Sequence, residues 1–154
     1  MKKIKIVLLC CMTTMLFVSC SDDDEGTSEG PSLEAKWELK KIGKIDEDGA
    51  ESLSDYENPS DCNSDSFELL DDGSTKCLSY SKPEGSEECV EGVVAGTWYE
   101  EEGGTFTMTF PGDYKRTYEV LELTTSSLKI KFVKDEPETQ AADADNLWLY
   151  QAVN

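Results

Sequence analysis

The sequence predicts an all-β domain, an antiparallel up-and-down barrel of about eight strands. Three observations carry this. Thr105-Phe106-Thr107-Met108-Thr109-Phe110 alternates polar and apolar without error, and so does Leu128-Lys129-Ile130-Lys131-Phe132. Period two is the signature of a strand with one buried face. Turn sequences such as Asp71-Asp72-Gly73 and Glu102-Gly103-Gly104 punctuate the chain at short intervals, as hairpins require. From residue 33 onward no segment carries a long apolar stripe at helical spacing.

The first 19 residues stand apart from that pattern. Lys2, Lys3 and Lys5 form a positive head, and residues 4–18 are apolar enough for a signal-peptide core. That core is too short for a comfortable membrane span. It ends Leu16-Phe17-Val18-Ser19-Cys20, which resembles a bacterial lipobox. The resemblance implies cleavage before Cys20, lipid on its thiol and an outer-membrane location. Residues 20–32 read as the lipidated cysteine and an acidic, Ser/Gly-containing tether ending near Pro31. The run Asp22-Asp23-Asp24-Glu25 resembles the surface-export signal of Bacteroidetes lipoproteins, which implies a protein facing the cell exterior.

Residues 33–154 form the domain. Strands are expected near residues 36–42, 66–70, 75–80, 96–101, 105–110, 114–123, 128–132 and 146–152. Tight turns at residues 71–73, 102–104 and 124–126 alternate with links at 43–65, 81–95, 111–113 and 134–145, most of them long. Alternate connections of a meander lie at opposite ends. The longer links therefore share one end, the mouth, and the tight turns close a plain base where the tether enters.

Composition narrows the chemistry. Loss of residues 1–19 leaves 135 of 154 residues and moves the net charge from -19 to -22. Such a surface disfavours nucleic acid and anionic membranes as partners. There is no histidine, which excludes Ser-His-Asp and Cys-His triads and His-ligated metals. Carboxylate pairs are abundant by chance alone, no catalytic set stands out, and neither an enzyme nor a cofactor is expected. Beyond Cys20, the mature chain holds Cys62, Cys77 and Cys89, enough for one internal disulfide and one free thiol. Asp61, Asn63, Asp65 and Asp72 echo the spacing of a calcium loop. The sixth position needs Gly and is Ser66, and the twelfth is Asp in place of Glu. A solvated acidic loop is the expectation, and no metal is assigned.

The domain resembles the small lipocalin-like lipoproteins of Bacteroidetes. The likeness rests on Leu33-Glu34-Ala35-Lys36-Trp37-Glu38-Leu39, Phe67-Glu68-Leu69-Leu70-Asp71-Asp72-Gly73, Gly96-Thr97-Trp98 and Thr124-Thr125-Ser126-Ser127-Leu128. It implies the barrel and no reaction. It also implies a Cys62–Cys89 disulfide between two mouth loops. The hairpin about residues 71–73 agrees, with Cys62–Cys77 as the alternative pairing.

Trp37, Trp98, Phe106, Met108, Phe110, Tyr118, Ile130 and Phe132 fall on inward faces. So many large side chains predict a filled interior, with an apolar pocket as the alternative. The expected function is non-catalytic binding of a small apolar molecule, a glycan or a protein at the mouth. The alternative is an accessory outer-membrane lipoprotein acting through loop contacts, with no small ligand.

Overall fold

In the computed structural model, residues 30–46, 48–137 and 146–153 are described. Nine strands run in chain order: β1 (Lys36–Ile45), β2 (Glu51–Asp55), β3 (Ser66–Leu69), β4 (Ser74–Ser81), β5 (Val90–Glu101), β6 (Thr105–Phe110), β7 (Tyr114–Leu123), β8 (Ser127–Glu136) and β9 (Leu147–Ala152). All neighbours are antiparallel. From β3 onward each strand pairs with the next, and β9 returns to pair with β1. Eight strands, β1 and β3–β9, make a closed barrel.

The ninth strand departs from the sequence reading. β2 lies inside the expected link at 43–65 and pairs with the mouth half of β1, Lys41 opposite Asp55 through Ile45 opposite Glu51. β3 takes the base half of the same edge, with Trp37 opposite Phe67. A side chain at Gly43 would collide with the Ser52 carbonyl, so the close approach of β1 and β2 needs glycine there. β5 also begins six residues before its expected start, and β8 runs four residues past its expected end.

The register sets which residues face inward. Across β6 and β7, Phe106 lies opposite Tyr118, Met108 opposite Arg116, and Phe110 opposite Tyr114. Bulges between Leu39 and Lys41, Thr117 and Tyr118, and Val120 and Glu122 shift the phase locally and bend the wall. Gly96 explains the Gly-Thr-Trp motif. A side chain there would run into the Thr109 carbonyl and press on the Phe110 ring.

The base is packed. Leu33, Trp37, Leu69, Phe106, Leu128 and Ile130 are buried there. The Trp37 indole donates to the Leu33 carbonyl at 2.8 Å, and the Trp98 indole to the Leu70 carbonyl at 2.8 Å. The buried Trp37 indole and the partly buried Trp98 indole thus each keep a hydrogen bond. Above this layer runs a belt of rings. Phe67 meets Tyr150 at 4.8 Å between centroids, Phe106 meets Tyr118 at 5.3 Å, and Tyr118 meets Trp148 at 5.9 Å. The chain enters at the base, where the Leu69 amide donates to the Ala35 carbonyl.

Candidate functional site

The mouth half of the barrel is not filled. Inward phase on β5 belongs to Trp98, Gly96 and Val94, because Cys77 lies opposite Val94, and Thr75 opposite Gly96. Toward the mouth these are the small residues Gly96 and Val94, and Val94 remains 48% exposed. A cavity of about 300 Å³ opens here, lined by Leu39, Phe67, Val94, Met108, Trp148 and Tyr150, with Asp65, Cys77, Arg116 and Tyr118 among its polar walls. A second cavity of about 500 Å³ adjoins it, lined by Cys77, Val94, Phe110, Pro111, Tyr114 and Arg116. The expectation of a filled interior holds for the base and fails at the mouth. Large residues supply the lower layers, while glycine and valine on β5 leave the upper one open.

Arg116 lies where the two cavities meet. β7 carries Tyr114, Arg116 and Tyr118 on one face by simple alternation. The Arg116 Nε donates to the Tyr114 hydroxyl at 2.8 Å, and that hydroxyl donates to Asp135 Oδ2 at 3.1 Å. The guanidinium carbon sits 5.3 Å from the Tyr114 ring centroid. Burial pulls the Arg116 pKa down, but the Tyr114 and Tyr118 hydroxyls outweigh it and hold the group protonated. Burial pushes Tyr118 up to about 12, despite Arg116 beside it. Tyr150 is driven well above its ordinary value for the same reason. Both phenols are neutral hydrogen-bonding groups at physiological pH.

The rim is tied in three places. Cys62 and Cys89 are bonded, with Cα atoms 5.9 Å apart, and join the loop before β3 to the loop between β4 and β5. Asp65 accepts from the Tyr56 hydroxyl at 2.9 Å and from the Tyr80 amide at 3.3 Å. The Asn58 side chain donates to the Asn63 and Tyr80 carbonyls. Burial, with Asp65 adding to it, raises the Tyr56 pKa to about 12.

Of the residues assigned to the interior from sequence, Trp37, Phe106, Met108, Tyr118 and Ile130 lie in the buried cluster, with Trp98, Phe110 and Phe132 packed against it. The bond implied by the resemblance, Cys62–Cys89, is present, and Cys77 is a free thiol on the cavity wall. Burial pushes that thiol up to about 11. The calcium spacing is not realised. Asp65 stands at the mouth end of β3, and Asp72 at its base end, where it accepts from the Ser74 amide and hydroxyl. A strand between them holds the carboxylates apart, and no group of three or more His, Cys, Asp or Glu among the described residues could hold a metal. Cys20 and Asp22, Asp23, Asp24 and Glu25 lie outside the described residues.

Sequence reasoning passed over Arg116, Trp148 and Tyr150. The signal for Arg116 was available, since it is the single arginine of the chain and shares phase with Tyr118. Leu147-Trp148-Leu149-Tyr150 is apolar throughout, so alternation says nothing about which side faces inward.

Among curated proteins none matches this chain. Among solved structures, an uncharacterized protein from Bacteroides eggerthii is similar, with 11% identity and a TM-score of 0.49, covering 79% of this chain and all of that one. A deswapped triple mutant of bovine odorant binding protein is similar with 17% identity and a TM-score of 0.37, covering 79% of this chain and 69% of that one. The family model for a lipocalin-like domain matches residues 33–130. With that match spanning more than half its length, the chain belongs to the lipocalin-like domain family.

Proposed function

We propose that this protein is a surface-exposed, non-catalytic lipoprotein that carries a small, largely apolar molecule in the mouth half of its barrel. The observation that carries the reading is the pair of adjoining cavities walled by Phe67, Val94, Met108, Phe110 and Trp148. Cavities of this size, apolar with a few placed polar groups, are where small ligands bind. The disulfide and the Asp65 and Asn58 bonds hold the rim in one shape, which lowers the ordering cost of binding. Cys20 and the acidic run support the anchoring half of the proposal. A lipid there would hold the base toward the outer membrane and leave the mouth outward.

Titration with a polarity-sensitive apolar dye tests the carrier reading. The wild-type protein binds the dye with an emission shift. Val94→Trp, at a half-exposed inward position, fills the cavity and abolishes the shift without unfolding the base. Dye binding that Val94→Trp leaves untouched overturns the assignment. For the anchor, Cys20→Ala abolishes incorporation of labelled fatty acid; undiminished labelling overturns that half. Replacing Asp22, Asp23, Asp24 and Glu25 with alanine keeps the lipid and removes protease accessibility on intact cells; unchanged surface cleavage rejects the export signal.

A further inference from the structure

The chain spends thirteen of its fourteen cationic residues on lysine and its single arginine on the inner wall of the barrel. We infer that the cavity takes an amphiphile with one carboxylate, held by Arg116, and an apolar tail lying against Val94, Phe110 and Pro111. This rests on the carrier reading above and names the class of ligand.

Four observations converge. First, the guanidinium is partly buried and lines both cavities. Its five N–H donors form a planar fork that matches a carboxylate in a way lysine does not. Second, the fork is positioned in advance. Nε is committed to the Tyr114 hydroxyl, which passes the bond on to Asp135. Asp135 is the direct cross-strand neighbour of Arg116, yet no ion pair joins Arg116 to a carboxylate among the described residues. Tyr114 and Asp135 act as positioning residues, the Tyr118 hydroxyl engages the guanidinium as well, and the remaining N–H donors are left for a guest.

Third, the two cavities differ in character. The larger is walled mainly by Val94, Phe110, Pro111 and the Tyr114 ring. The smaller adds the hydroxyl-bearing Ser79, Tyr118 and Tyr150. A molecule with one polar end and one apolar end matches that division, with its polar end at Arg116. Fourth, the net charge of -19 repels anions from the outer surface. An interior cation makes the cavity the place where a small organic anion is favoured. Asp65, the other charge on the wall of the smaller cavity, already accepts from Tyr56 and Tyr80 and keeps the carboxylate on the Arg116 side.

The test compares decanoate with decan-1-ol, equal in chain length and differing in the charged end, on the whole folded domain by calorimetry. A charge-assisted pair predicts that decanoate binds at least about tenfold more tightly. Arg116→Leu removes about that factor for decanoate and leaves decan-1-ol unchanged, while Arg116→Lys retains part of it. Should Arg116→Leu fail to fold, Arg116→Gln, which keeps a donor toward Tyr114, replaces it. Decanoate also slows alkylation of Cys77 in the wild type and not in Arg116→Leu. Equal binding of both probes, indifferent to Arg116, overturns the anchor and leaves the carrier standing. Binding of neither probe overturns both.

Discussion

The Trp98 indole nitrogen donates to the Leu70 carbonyl at 2.8 Å, joining the middle of β5 to the tight turn between β3 and β4. The Trp98 amide donates to the carbonyl of Gly73 in that same turn, also at 2.8 Å. One residue therefore closes the base corner twice. Trp98→Phe keeps the ring and removes the indole donor, leaving the Leu70 carbonyl without that partner. That carbonyl still accepts from the Gly73 amide at 3.0 Å, so the expected loss is about 0.5–1.5 kcal/mol, read as a lower denaturant midpoint at unchanged slope. An unchanged midpoint contradicts the role given to this bond.

The base and the mouth differ in what truncation costs. Phe106 is fully buried, and Phe106→Ala is expected to cost about 3–5 kcal/mol. Val94 is half exposed on the cavity wall, and Val94→Ala is expected to fall within about 0.5 kcal/mol of wild type. Denaturant midpoints of the two variants check the contrast. Equal losses contradict a packed base beneath an open mouth.

The rim disulfide joins residues 27 apart in sequence. Replacing Cys62 and Cys89 together with serine is expected to lower stability by about 2–4 kcal/mol. Peptide mapping without reduction recovers the Cys62–Cys89 pair, with Cys77 open to alkylation. A Cys62–Cys77 peptide contradicts the observed register.

Alkaline pH destabilises the fold, and the sign follows from burial. The Cys77 pKa rises from 9.0 to about 11, and those of Tyr56 and Tyr118 rise from 10.0 to about 12. In each case the folded state holds its proton longer than the unfolded chain does. The stabilisation is complete below the unfolded pKa and is lost as pH rises through the folded one. The melting temperature is thus expected to fall from about pH 9 and to keep falling toward pH 12. Cys77→Ala moves the onset up by about one pH unit, to where the tyrosines begin. A melting temperature flat from pH 8 to 11 contradicts this.

Most of the wall was legible in the sequence because one face of each strand is apolar. Thr105 to Phe110 shows this without error, and its even residues line the interior. The elements that escaped lack that contrast. Glu51-Ser52-Leu53-Ser54-Asp55 carries one apolar residue, because β2 lies at the rim and buries little on either face. Val90 to Ala95 is exposed on both sides, so its valines and glycine alternate with nothing. The open mouth follows from those same residues, whose small size leaves space that a count of aromatics cannot reveal. Arg116 was missed because a charge on an inward phase breaks the binary pattern used to find strands. The acidic spacing misled in the opposite direction. Asp61 to Asp72 has the rhythm of a calcium loop, but residues 66–69 are a strand and carry Asp72 to the other end of the barrel.

Native mass spectrometry of the protein purified from its own host tests the central claim most directly. The account predicts a discrete small mass bound to the wild type, released on unfolding and absent from Val94→Trp. A wild-type protein that carries no small mass, binds no apolar dye and co-purifies with a polypeptide contradicts it.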